Sequence, residues 1–96
     1  MWIFTTETNG VKKQSCNKTF KKYALHYMRK AISNQYRHIE EMAMNNPVWE
    51  ITKLDVKDLD DICTFHIEYI CHIPREGSAI DGKKFSDEII FRLEEL

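Results

Sequence analysis

"CTFHIEYICHI", residues 63 to 73, alternates along nearly its whole length. Cys63, Phe65, Ile67, Tyr69, Cys71 and Ile73 point to one side, and Thr64, His66, Glu68, Ile70 and His72 to the other. Apolar residues at a period of two mark a strand with one buried face. The stretch therefore predicts a long strand over 62 to 73 whose Cys63, Phe65, Ile67 and Tyr69 side faces a core. Eleven residues at about 3.3 Å each span roughly 36 Å, so the core partner must be comparably long.

Residues 18 to 45 supply it, because "KTFKKYALHYMRKAISNQYRHIEEMAMN" runs without a Pro or Gly. As a helix it extends about 42 Å. At 100° per residue Phe20, Ala24, Leu25, Tyr27, Met28, Ala31, Ile32, Ile39 and Met42 fill one half of the cylinder, and Lys22, Arg29, Lys30, Ser33, Arg37 and Glu40 lie opposite. Ser15 or Asn17 is the expected cap, and Asn45-Asn46-Pro47 the expected stop.

Outward from these two elements the order is simple. Residues 2 to 6, "WIFTT", read as a short strand, and Asn9-Gly10 as a turn leading toward the helix. "VWEITKLDV" begins a strand that "KDLDD" joins to the long strand as an antiparallel hairpin. Pro74 stops the long strand, residues 75 to 84 form a loop, and the run Ile89, Ile90, Phe91 makes the end of the chain a strand. The expectation is one α+β domain over 1 to 96, in the order β-α-β-β-β, with one long amphipathic helix packed on a curved four-stranded antiparallel sheet.

A chain of 96 residues holds one core, and 43% hydrophobic with 30% charged residues is the balance of a soluble globular domain. No apolar run reaches a membrane span, and the apolar start is too short for a signal-peptide core, so a cytoplasmic protein with Cys16, Cys63 and Cys71 reduced is expected. Net charge is −1, yet residues 1 to 37 hold eight Lys or Arg against one Glu, whereas residues 38 to 96 hold six basic and fourteen acidic residues. Such asymmetry marks a nucleic-acid face, a solvated helix face or two patches that meet in a dimer. Tyr23, Tyr27 and Tyr36 are the rings available to stack bases. Two of them fall within or at the edge of the packing arc, so core use is expected and nucleic acid is not.

The second half of the chain carries a resemblance. A strand, an acidic turn, a long alternating strand ending near His72, the "DGKKF" of Asp81 to Phe85 and the closing "IIFRLEE" of Ile89 to Glu95 resemble the last three strands of the nuclear transport factor 2-like superfamily, with its SnoaL-type cyclases and ketosteroid isomerase. The resemblance implies a sheet wrapped round a helix, a ligand pocket inside the cone and a dimer across the outer sheet face. Cyclases of that type carry an acid three residues before the Arg; counting back from Arg92, this chain has Ile89 there. Only about seventeen residues precede the helix, where the family builds a lid. The element order is equally similar to a cystatin-like module.

No residue is assigned a catalytic role and no metal or cofactor is expected. Cys63 and Cys71 alternate against His66 and His72, so they cannot converge as a zinc site requires, and Cys16 among lysines has no base fixed beside it. Gln35 lies in the middle of the apolar arc, where an unpaired amide costs about 1 to 3 kcal/mol. Its two readings are a bond to sheet backbone or a pocket lined by Tyr27, Gln35, Tyr69 and His72. The outer strand face, Thr64, His66, Glu68 and Ile70, has no second helix to cover it and is the expected interface. The chain thus reads as a non-catalytic binding module that forms a homodimer through this face or binds another protein. Two alternatives stand: a small accessory protein, of the kind viruses and mobile elements encode, that inhibits a nucleic-acid-processing complex, and a small-molecule-binding cone with weak isomerase or cyclase chemistry.

Overall fold

The computed structural model describes residues 1–45, 48–72 and 82–96. Five strands and one helix follow one another as β1 (Trp2–Thr8), β2 (Val11–Lys18), α1 (Lys21–Asn45), β3 (Trp49–Leu59), β4 (Ile62–Cys71) and β5 (Lys84–Glu95). All pairings are antiparallel and the sheet order is β2-β1-β5-β4-β3. The expected α+β class and antiparallel sheet are present, but the sheet has five strands where four were expected. The Pro47 and Pro74 stops and the loop between 75 and 81 lie outside the described residues.

The additional strand is β2. Asn9 and Gly10 both have positive φ, 49° and 87°, the backbone of a two-residue hairpin turn whose twist matches the strands it joins. The chain therefore folds back onto β1, pairing Trp2 with Lys18 and Thr8 with Val11, instead of passing into a helix. Ser15 and Asn17 belong to this strand and do not cap α1. The helix starts three residues later than expected, with the Phe20 carbonyl accepting from the Tyr23 and Ala24 amides.

β4 has the faces its alternation predicts. Cys63, Phe65, Ile67 and Cys71 are buried on the helix side. Directly paired residues of antiparallel strands share a face, so Ile89 and Phe91 of β5, opposite Phe65 and Cys63, join the same layer. Phe4 of β1 follows, opposite Leu93. Ala24, Met28, Ile32 and Ile39 of α1 close over this layer and are all buried. Phe65 is the pivot: its ring meets Phe91 at 5.8 Å and Tyr36 at 5.0 Å, both edge-on, the geometry in which ring quadrupoles attract.

The helical arc is narrower than expected. Phe20 is 60% exposed and Tyr27 44%, so neither belongs to the core, and Tyr27 sits on the flank of α1 toward β2. On the other flank Arg29, placed by periodicity on the solvent side, reaches both carboxylate oxygens of Asp58 on β3, at 2.9 and 2.7 Å. That bond raises the guanidinium pKa further, although an open pair of this kind contributes no more than about 1 kcal/mol.

The thiols give a direct check on the layering. Cys63 and Cys71 are fully buried, Cys16 is half-buried, and burial pushes the Cys63 thiol pKa up. A thiolate is the reacting species. An aromatic disulfide reagent should therefore titrate one thiol per folded chain and three after denaturation; fast reaction of a second thiol in the native protein contradicts this packing.

Candidate functional site

The helix covers only one side of the sheet. On the other, no described element lies over the strands. Register places Ile3, Thr5 and Glu7 of β1, Glu88, Ile90, Arg92 and Glu94 of β5, Thr64, His66, Glu68 and Ile70 of β4, and Asp55 and Lys57 of β3 on this outer face. Its charges interleave. Lys12 Nζ lies 3.6 Å from Glu94, and His66 Nε2 lies 3.5 Å from Glu68. On this face Ile62, Ile70 and Ile90 are half-buried, and Ile3 and Thr5 at the β1 side are buried. Toward one end the face dips into an open groove of about 370 Å³ lined by Thr52, Glu68, Ile70, Lys84, Phe85 and Ser86.

The second feature is a cleft of about 230 Å³ between the C-terminal half of α1 and the sheet, lined by Gln35, His38, Ile67, Tyr69, Asp87 and Ile89 among others. Asp87 is the unusual residue, a carboxylate on the helix-facing side of β5. Both of its oxygens are bonded. Tyr69 donates its hydroxyl to Oδ2 at 2.8 Å, and Asn9 donates Nδ2–H to Oδ1 at 2.9 Å. Asn9 in turn accepts from the Glu88 amide through Oδ1 at 2.8 Å and donates its own amide to the Glu88 carbonyl at 2.9 Å. The β1–β2 turn is thus tied to β5 through the residue that needs φ > 0. Desolvation, aided by the bond to Asp87, pushes the Tyr69 phenol up to about 12, so at neutral pH it is a hydrogen-bond donor and not a base. Trp49 and Phe85 flank it, with ring centroids 5.3 and 5.6 Å from Tyr69.

Of the pocket residues read from the sequence, Gln35 and Tyr69 line this cleft together. Tyr27 lines a different, shallow cleft with Ser15, Cys16, Asn17 and Lys18. His72 stands beside the sheet end, its Nε2 at 2.7 Å from Glu50 Oε2. All four outer-face residues, Thr64, His66, Glu68 and Ile70, share the uncovered face. Asp87 was not singled out from the sequence. The signal was present, since counting back by two from Leu93, Phe91 and Ile89 arrives at Asp87. Among the described residues no three His, Cys, Asp or Glu side chains converge as metal ligands, and no helix is long and apolar enough to cross a membrane. Comparison with protein-family models, curated proteins and solved structures gives no match for this chain.

Proposed function

We propose that the chain is a non-catalytic binding module that pairs with a second copy of itself through the outer sheet face. The observation that carries this reading is a sheet face over which no described element forms a covering layer, on a chain that is thinner and more exposed than a lone domain of its size. A 96-residue domain has an expected radius of gyration of about 12.5 Å, against 16.0 Å here in a slab of 54 × 23 × 18 Å. Its accessible surface is 6680 Å², where scaling with mass gives about 5,800 Å².

A second copy fits the face in size and in charge. Five strands about 4.8 Å apart and roughly 30 Å long offer a footprint of about 600 Å² per partner before side-chain relief is counted, close to the ~800 Å² of a standard interface. Interleaved signs favour self-pairing, because a two-fold rotation can set Lys57 or Arg92 of one copy against the acids of the other. A homogeneous single-sign face would repel itself. The nuclear transport factor 2-like resemblance points to the same face, across which members of that superfamily often pair. Enclosure in the inner cleft is the weaker basis for function: about 230 Å³ falls below the ~300 to 1,000 Å³ of small-molecule sites, and its phenol is held protonated by desolvation and then by the bond to Asp87.

Sedimentation equilibrium is expected to give a dimer for the wild type and a monomer for Ile90→Lys, which places an ammonium group at the middle of the central strand's outer face without touching the core. A wild-type monomer at high micromolar concentration overturns the proposal.

A further inference from the structure

Between Glu7 and Glu40 the chain has eight Lys or Arg and no acidic residue. The fold brings much of this segment to one edge of the sheet, because β2 is an edge strand and Tyr27 of α1 lies beside it, while Lys12 turns to the outer face and Arg29 to β3. Some of these charges are matched by acids: Lys21 by Asp61, Arg29 by Asp58 and Lys12 by Glu94. Lys13, Lys18, Lys22 and Lys30 are in none of the ion pairs found among the described residues. Three exposed rings lie near them, Phe20 at 60% exposed, Tyr23 at 49% and Tyr27 at 44%, with Tyr27 turned toward β2 and Lys22 and Lys30 rising from the solvent side of the helix. Two are capped by ammonium groups, Lys18 over Tyr27 and Lys22 over Tyr23, each at 5.1 Å from the ring centroid. A shallow cleft of about 240 Å³ runs from Tyr27 to Ser15, Cys16, Asn17 and Lys18 of β2.

Helix energetics do not account for this arrangement. The first turn of α1 has no acidic residue and carries Lys21 and Lys22, although positive charge there opposes the helix dipole. Exposed rings alternating with unneutralised lysines suit a ligand that brings both phosphates and flat π-faces.

We infer that the solvent side of the N-terminal half of α1, together with β2 beside it, binds single-stranded nucleic acid, with Lys13, Lys18, Lys22 and Lys30 on phosphates and Phe20, Tyr23 and Tyr27 beneath bases. The rings recur at three- and four-residue steps, a rise of about 4.5 and 6 Å along the helix. That exceeds the ~3.4 Å repeat of a strand within a duplex and suits bases drawn apart. Lys18 and Lys22 move from ring to phosphate on binding, which frees the ring faces for stacking. This surface lies on the helix side of the sheet, so the inference stands or falls separately from self-association.

Fluorescence anisotropy with end-labelled oligothymidylate and oligouridylate of about 20 nucleotides tests it. Binding is expected to weaken with salt, with a slope of log K against log salt of about −2 to −3 for four neutralised phosphates. Tyr23→Ala and Tyr27→Ala are each expected to weaken it about tenfold or more with the slope unchanged. Lys22→Glu with Lys30→Glu should weaken it and flatten the slope. Phe20→Ala, at the most exposed ring, is the further variant if circular dichroism shows either tyrosine change to disturb folding. Absence of salt-dependent binding at low ionic strength overturns the inference. So does equal binding to polyglutamate, to an acidic protein or to a duplex of the same length, or ring variants that bind like the wild type, since each reduces the surface to a general attraction for negative charge.

Discussion

Phe65→Lys is expected to leave the chain unfolded at room temperature, while His66→Lys, one residue along the same strand, is expected to leave it folded within about 0.5 kcal/mol of the wild type. Phe65 is fully buried and packs edge-on against Phe91 and Tyr36. Truncating such a ring to Ala alone costs about 3 to 5 kcal/mol, and the lysine adds the penalty of an ammonium group at a fully buried position with Val56 and Ile89 directly opposite. The sum meets or exceeds the ~5 to 15 kcal/mol that a domain has in total. His66 points the other way, with Asp55 and Glu88 directly opposite on the neighbouring strands, so a permanent cation there is welcome. Ile67 is a poorer choice for the same test although it is also buried. Its cross-strand neighbour on the helix side is Asp87, a carboxylate that a lysine could reach. Urea titrations followed by tryptophan fluorescence separate the outcomes; a folded Phe65→Lys of near wild-type stability contradicts the core described here.

That contrast turns on the part of the fold that is legible without coordinates. β4 announces both faces because each alternate position is apolar, and α1 announces its core stripe at Ala24, Met28, Ile32 and Ile39. β2 gives no such signal. "VKKQSCNK" has only Val11 and Cys16 as apolar residues, and the strand is exposed along nearly all of its length, so no hydrophobic period exists to be read. What makes it a strand is backbone pairing with β1, and its one local cue is the Asn9-Gly10 turn. Edge strands are commonly charged because lysines on a free edge discourage pairing with other chains. The helix stripe was read too wide for a related reason. A helix on a flat sheet buries about a third of its surface, and positions at the margins, such as Phe20 and Tyr27, depend on which strand lies beneath them. At this edge that strand is β2, whose side chains beside Tyr27 are Ser15, Cys16, Asn17 and Lys18, with Cys16 the one apolar group among them.

The candidate site divides along the same line. The uncovered face of β4 follows from alternation and from the absence of a second long helix. The cleft at Gln35 and Tyr69 depends on Asp87 and Asn9, which are 78 positions apart and meet only because β1 and β5 are neighbours. A residue read as a turn former from its sequence turns out to be a side-chain partner as well. Likewise the basic segment is visible as a count, but its exposed rings become visible only when β2 is known to flank the helix.

The bond between Tyr69 and Asp87 makes a prediction with a definite sign. The phenol pKa rises from its ordinary value near 10 to about 12 in the folded chain, first through desolvation and then through the bond to the Asp87 carboxylate. A group whose folded pKa lies above its unfolded pKa binds its proton more tightly in the native state, so its contribution is complete below pH ~10 and is lost as pH climbs toward ~12. At pH 8 Tyr69→Phe is expected to be less stable than wild type by about 1 to 2 kcal/mol, the range for a hydrogen bond to a charged acceptor on a partly open site. Between pH 10 and 12 the two proteins should converge, because the wild-type tyrosinate then faces Asp87 as a second negative charge. Tyr36 and Cys63, whose pKa values burial also raises, destabilise both proteins alike over this range, which is why the difference between them is the quantity to follow. Asn9→Ala serves as the companion: it removes the other donor to Asp87 while leaving the phenol, so it lowers stability but keeps the alkaline loss. A gap between wild type and Tyr69→Phe that stays constant from pH 8 to 12 shows that the phenol titrates alike folded and unfolded, and contradicts the desolvated bond between Tyr69 and Asp87 described here.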